Sequence, residues 1–240
     1  MSSTIRLYFP DKIQSALSSH LTKEQTHYVK DVMRLKIGDK LSIFNIQGEW
    51  NAIIEIYEKE GAKIKIMEKT RDKSNEKKIW LSFSPIKQNS LNFLIQKGTE
   101  LGVQKFLPVL SERTAVREIN IERIKKIIIE ASEQSNRISV PKINKPESLK
   151  NFLSQFPKKG SLIFCDINSN QNSLKNILEK NTDNPICILV GPEGDFSENE
   201  RKMIIDHSQT FSISLAKNIL KAETAALSAI TIVNYHLNLS

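Results

Sequence analysis

The chain has 240 residues, 39% of them hydrophobic and 26% charged, and carries a net charge of +8. That is enough length for one large domain or two small ones with a real core. It excludes a membrane span, because no run of about 18 apolar residues is present, and a positive surplus spread over both halves suits either a polyanionic partner such as RNA or a plain solvated surface.

Residues 4–9 alternate as a strand, which Pro10-Asp11 ends. Thr22 to Gln25 reads as a capping box opening a helix. Tyr28, Val29, Val32 and Leu35 form its apolar face, and Gly38-Asp39 stops it. From Leu41 to Met67 the period drops to two through Ile43, Ile46, Ala52, Ile54, Ile56, Ile64 and Ile66, with turns at Gln47-Gly48 and Glu60-Gly61. A strand, a helix and a meander in about 70 residues predict a small β-barrel. Thr70 to Lys78 is charged and apolar-poor and reads as a linker.

After the linker, strands alternate with helices. Strands are predicted at 79–83, 106–110, 162–165, 186–190 and 211–215. Helices are predicted after a Ser90 cap, after an Asn120 cap (Ile121, Ile124, Ile127, Ile128, Ala131), and at 173–178, 198–207 and 224–237. This alternation implies an α/β fold with a mainly parallel sheet. Cys165 and Cys187 fall in buried strands and read as cytosolic thiols, not a disulfide framework. The first residues lack the apolar stretch of a signal peptide. The four histidines are scattered without metal-ligand spacing, so no metal is expected. No Walker loop, Gly-x-Gly-x-x-Gly turn, nucleophile elbow or triad is present.

The most informative stretch is 186–227. An apolar strand, Ile-Cys-Ile-Leu-Val, breaks into Gly191-Pro192-Glu193-Gly194-Asp195-Phe196, and Ser197 to Glu200 then caps a helix. About 20 residues on, Leu215-Ala216-Lys217-Asn218-Ile219-Leu220-Lys221-Ala222-Glu223-Thr224-Ala225 repeats the strand–loop–helix layout. Open α/β sheets bind ligands in such loops at the C-terminal ends of strands. A lone Gly-x-x-Gly could equally be a tight turn without a ligand; two such loops favour the ligand.

These stretches resemble the RsmE family of ribosomal RNA uridine methyltransferases, in the SPOUT class of knotted methyltransferases. The family pattern is Gly-Pro-Glu-Gly-Gly-Phe and then Leu-Gly-x-Arg-Ile-Leu-Arg-x-Glu-Thr-Ala. The chain departs from it at Asp195, Ala216, Asn218 and Lys221. Gln96 to Val103, Glu130 to Arg137 and Val140-Pro141 match further family segments, so the resemblance covers nearly the whole chain.

The resemblance implies a PUA-like RNA-binding β-barrel at 1–72 and a SPOUT methyltransferase domain with a trefoil knot at 77–240. The implied cofactor is S-adenosylmethionine, and the implied reaction methylates N3 of a uridine in 16S RNA of the small ribosomal subunit. A homodimer in the cytoplasm, without membrane or metal, is expected. The final helix agrees, since its apolar residues spread over more than one stripe, although a deeply buried helix would show the same. Cofactor contacts are expected from Leu189, Gly191, Pro192, Glu193, Gly194, Phe196, Leu215, Ile219, Leu220, Thr224 and Ala225. Glu193 could instead cap its own loop. Catalytic roles are expected for Glu223 and Arg137, and RNA contacts for Arg6, Arg34, Lys97, Arg113 and Gln134. The alternative is a non-catalytic RNA-binding protein whose departures have disabled the site.

Overall fold

Short apolar segments near the N-terminus build the first sheet. β1 (Arg6–Tyr8) and β2 (Ser18–His20) form its edges, flanking a meander of β3 (Lys40–Asn45), β4 (Gly48–Tyr57) and β5 (Ala62–Asp72). The order is β1-β3-β4-β5-β2, with β1 parallel to β3 and the other pairs antiparallel. Leu7, Val29, Leu41, Ile43, Ile54 and Ile64 share one core, each contributing about 1.5–3 kcal/mol by burial. The computed structural model describes residues 5–73, 76–170, 174 and 184–239. These form two units, one within 1–75 and 132–140, the other within 76–131 and 141–240.

The capping box forms as its residues predict. Thr22 Oγ1 accepts from the Gln25 amide at 3.2 Å, and Gln25 Oε1 accepts from the Thr22 amide at 3.1 Å. The helix does not run on to Leu35, however. α1 (Lys23–His27) widens into a π-helical turn, Tyr28–Val32, where the Met33 amide donates to the Tyr28 carbonyl. A π-turn takes one extra residue, which rotates the face, so Val29 is buried while Val32 is 57% exposed. Ile46 is also exposed, because it sits in the turn between β3 and β4. Thr70 to Asp72 belongs to β5 and is not linker.

In the second unit the alternation becomes β6 (Ile79–Phe83), α2 (Gln88–Glu100), β7 (Lys105–Leu110), α3 (Ile121–Gln134), β8 (Lys142–Ile143), β9 (Glu147–Ser148), α4 (Leu149–Ser154), β10 (Ser161–Cys165), β11 (Ile186–Val190), α5 (Glu198–Ile205), β12 (Thr210–Ile213) and α6 (Ala222–Leu239). The last turn of α3 belongs to the first unit. The sheet order is β12-β10-β11-β6-β7-β8, with β9 beside β7, and every pair is parallel. β11 is buried along its whole length, which explains its unbroken apolar run.

Asn120 caps α3 as predicted, its Oδ1 accepting from the Arg123 amide. Ser90 does not cap α2. The cap position is Lys87, and Ser90 lies inside the first turn. β8, β9 and α4 have no counterpart in the sequence reading, since two-residue strands are too short to show a period. The helix predicted at 173–178 lies outside the described residues, apart from position 174.

Candidate active site

β10 lies between β11 and β12, with Phe164 opposite Leu189 and Cys165 opposite Ile213. Their C-terminal ends are therefore side by side, and Asp166, Gly191 and Ser214 lead out of the sheet there. With the first turns of α2 and α6 they wall a cavity of about 680 Å³, inside the range of small-molecule sites, about 300–1,000 Å³.

The first loop is held by its own residues. The Asp195 amide donates to the Pro192 carbonyl at 2.9 Å. Asp195 takes a left-handed conformation (φ 59°), and its Oδ1 accepts from the Phe196 amide at 2.8 Å. Aspartate tolerates this region better than most side chains, so the departure from glycine at Asp195 keeps the turn. Phe196 folds back into the core against Phe164. A Cβ on Gly191 would lie 2.9 Å from that ring, so Gly191 must lack a side chain. Gly194 need not: its φ is not left-handed, and a Cβ there would only touch Arg113 at 3.8 Å.

A second segment braces this loop. Arg113 Nη1 donates to the Gly194 carbonyl at 2.9 Å, and the Glu112 amide donates to Glu200 Oε1 at 2.8 Å. Ser197 and Glu200 form the predicted capping box at the start of α5.

The second loop, 214–221, has no regular structure, so its backbone groups can serve a ligand. Ala216, Asn218 and Lys221, where the family pattern is broken, all line the cavity. Glu223 opens α6, and its Oε1 accepts from Ser90 Oγ at 3.2 Å.

Of the expected cofactor residues, Gly191, Pro192, Glu193, Leu215, Ile219, Leu220 and Ala225 line the cavity, as does Glu223. Leu189 and Phe196 are core residues behind it. Gly194 and Thr224 are exposed and do not line it. Glu193 is exposed beside the cavity.

Lys87, Ser90, Cys165 and Asp166 also line the cavity and were not foreseen. Asp166 had a usable signal, because it follows an apolar strand as Gly191 does. Its carboxylate pairs with Arg201 on α5 at 2.7 Å. The hydrogen bond to Asp166 is the main reason that the Arg201 pKa is raised, against a smaller lowering from burial. Cys165 keeps some accessible surface, yet burial pushes its thiol up to about 12. It stays protonated at neutral pH and is no nucleophile.

The expected RNA contacts divide. Arg6 is committed inside the first unit: Nε and Nη2 donate to Glu49 at 3.0 and 3.1 Å, and Nη1 donates to the Glu133 carbonyl at 2.9 Å. Its guanidinium also lies 4.4 Å from the Phe44 ring centre. Arg137, expected to be catalytic, belongs to the same unit, is 8% exposed, donates through Nη2 to Ser139 Oγ and is not among the residues lining the cavity. Both guanidinium groups are held by partners within the first unit, as buried charge requires. Arg34 is exposed with φ 58°, Gln134 is exposed, and Lys97 pairs with Glu100 on the α2 surface. Among the described residues, no helix is long and apolar enough to cross a membrane, and no group of three or more His, Cys, Asp or Glu could hold a metal.

Residues 73–234 match the RNA methyltransferase domain family, and 21–67 match the RNA methyltransferase PUA domain. The chain is 36% identical to ribosomal RNA small subunit methyltransferase E of Rickettsia conorii, over 94% of this chain and 90% of that one. It is 32% identical to the protein of that name from Buchnera aphidicola subsp. Schizaphis graminum, over 94% of each. Its fold is similar to ribosomal RNA small subunit methyltransferase E from Neisseria gonorrhoeae bound to S-adenosyl methionine (28% identity, TM-score 0.87, 97% of each chain). It is also similar to a putative methyltransferase of Legionella pneumophila in complex with the same cofactor (26% identity, TM-score 0.83, 97% of each chain). With one domain family matched across most of its length and relatives aligned nearly end to end, this chain belongs to the RsmE family of RNA methyltransferases.

Proposed function

We propose that this chain is an S-adenosylmethionine-dependent methyltransferase that modifies N3 of a uridine in small-subunit (16S) ribosomal RNA. The observation that carries the reading is the cavity at the ends of β10, β11 and β12, walled by two loops and holding Glu223. Its volume suits a nucleoside-sized ligand, and the 214–221 backbone can offer the donor and acceptor that adenine needs. S-adenosylmethionine, when bound, supplies an activated methyl group.

The protein then has two tasks. It must align the acceptor, worth about 7–11 kcal/mol when geometry is right. It must also remove the proton that makes uridine N3 a poor nucleophile. Glu223 takes that proton; its partner Ser90 is a neutral hydroxyl, which orients the carboxylate without cancelling its charge. Lys87 and Lys221 line the same cavity and place positive charge where the uridine anion develops.

The same proposal covers the parts beyond the cavity. Residues 1–72 form the PUA-like RNA-binding domain and 77–240 the methyltransferase domain, apart from 132–140, which belong to the first unit. Arg34 and Gln134 are exposed and so available to RNA, and Lys97 is half-buried, its ammonium paired with Glu100 at the surface of α2. The methyltransferase domain carries the trefoil knot that its family resemblance implies. A homodimer is supported by Tyr235, exposed on α6 opposite its buried residues. Action on ribosomal RNA puts the enzyme in the cytoplasm.

The test is methyl transfer from labelled S-adenosylmethionine to small subunits lacking the modification, with the product nucleoside identified by mass spectrometry. N3-methyluridine is the expected product. Tight cofactor binding without transfer would favour the non-catalytic alternative.

A further inference from the structure

We infer that Asp166 reads the ribose of the cofactor, its carboxylate accepting a hydrogen bond from one of the two ribose hydroxyls. This rests on the S-adenosylmethionine reading above. Of the acidic residues lining the cavity, Glu193 and Asp195 are exposed and Glu223 is bound by Ser90. Asp166 is the buried one, at 3% exposure.

Its surroundings leave room for one more donor. Arg201 Nη2 donates to Oδ2 at 2.7 Å, Arg201 Nε donates to Oδ1 at 3.3 Å, and the Asn168 amide donates to Oδ1 at 3.0 Å. An ionised carboxylate offers about four lone-pair directions. Three donors leave one direction over on a residue that lines the cavity, and a neutral hydroxyl suits it because Arg201 already balances the charge.

The sheet order gives the position. Asp166 follows β10, which lies between β11 and β12. The loops after those outer strands both line the cavity, and the one after β12 is the one proposed for adenine. Strands are spaced about 4.8 Å apart, so Asp166 stands midway across a gap of about 10 Å between the loops. A group covalently next to adenine falls within its reach. Arg201 is the positioning residue, since its two hydrogen bonds fix the carboxylate.

The experiment is isothermal titration of wild type and Asp166→Asn with S-adenosylhomocysteine, 5′-methylthioadenosine and the 2′- and 3′-deoxy forms of each. Wild type should lose about tenfold in affinity when one of the two hydroxyls is removed. Asp166→Asn should lose a similar factor for both parent ligands and become indifferent to that hydroxyl. Wild type binding all deoxy forms as tightly as their parents would overturn the inference, and needs no variant to fold. An Asp166→Asn deficit seen with S-adenosylhomocysteine but absent with 5′-methylthioadenosine would also overturn it, assigning Asp166 to the amino acid end. Failure of wild type to bind S-adenosylhomocysteine at all would instead sink the methyltransferase reading, and this inference with it.

Discussion

Ser90 Oγ donates to Glu223 Oε1 across 3.2 Å, joining the first turns of α2 and α6 at the cavity wall. If Glu223 is the base, Glu223→Gln should lower kcat by about 10²–10⁴-fold and change S-adenosylhomocysteine affinity little. The remaining activity should rise with pH, as the uridine ionises without help. Ser90→Ala should cost less, since it removes only the orienting partner. Single-turnover methylation across a pH series measures both; an unchanged rate for Glu223→Gln would remove Glu223 from the chemistry.

The two glycines of the first loop should respond differently. Gly191→Ala pushes a methyl group into the buried Phe196 ring, and overpacking of this kind costs about 1–3 kcal/mol. Gly194→Ala meets only the Arg113 side chain at ordinary contact distance and should be near neutral. Urea denaturation of both variants decides this, and equal losses would contradict the packing described.

Glu49 should govern part of the acid stability of the first unit. Burial raises its pKa, but the hydrogen bonds and charges of Arg6 and Arg71 outweigh that and hold it below its ordinary value of 4.5. A depressed carboxylate contributes stability that is complete above the unfolded pKa and lost as pH falls through the folded one. The gap between wild type and Glu49→Gln should thus be constant at neutral pH and close toward acid. Glu49→Ala, which strands Arg6, should cost about 3–5 kcal/mol at neutral pH. Arg6→Ala should appear as a folding defect before it appears as an RNA-binding defect.

Arg34 combines exposure with a left-handed backbone, which costs a non-glycine residue about 1–2 kcal/mol. Arg34→Gly should stabilise the first unit yet weaken RNA binding. It should also flatten the salt dependence by about one unit if the guanidinium neutralises one phosphate. Filter binding over a salt series, with thermal melting alongside, separates these effects; unchanged RNA affinity would make Arg34 a plain surface residue.

The dimer is best tested at Tyr235. Ile230 is 0% exposed and lies inside the monomer, so a charge there would unfold the chain and report nothing about assembly. Tyr235 is 63% exposed. Tyr235→Glu should leave melting nearly unchanged and shift the light-scattering mass from two chains toward one. A wild-type protein that is monomeric and active would defeat the dimer.

Much of this protein was legible in the sequence because its signals are local. The Thr22 and Ser197 capping boxes, the apolar run of β11 and the three strands β3 to β5 are each set by neighbouring residues and formed as read, although Ile46 and Ile56, read into the apolar alternation, are exposed. The two loops at 191–196 and 214–221 could be matched to a family because their order along the chain survives folding. Tertiary structure alone decided which charges are free. Arg6 and Arg113 look alike in sequence, but one is paired with Glu49 and the other holds the Gly194 carbonyl, through partners 43 and 81 residues away. It also decided the membership of the cavity. Asp166 stands beside Gly191 only because β10 pairs with β11, and Ser90 meets Glu223 only because α2 and α6 pack together. Pairing across a sheet and between helices depends on distant residues, and no local period records it.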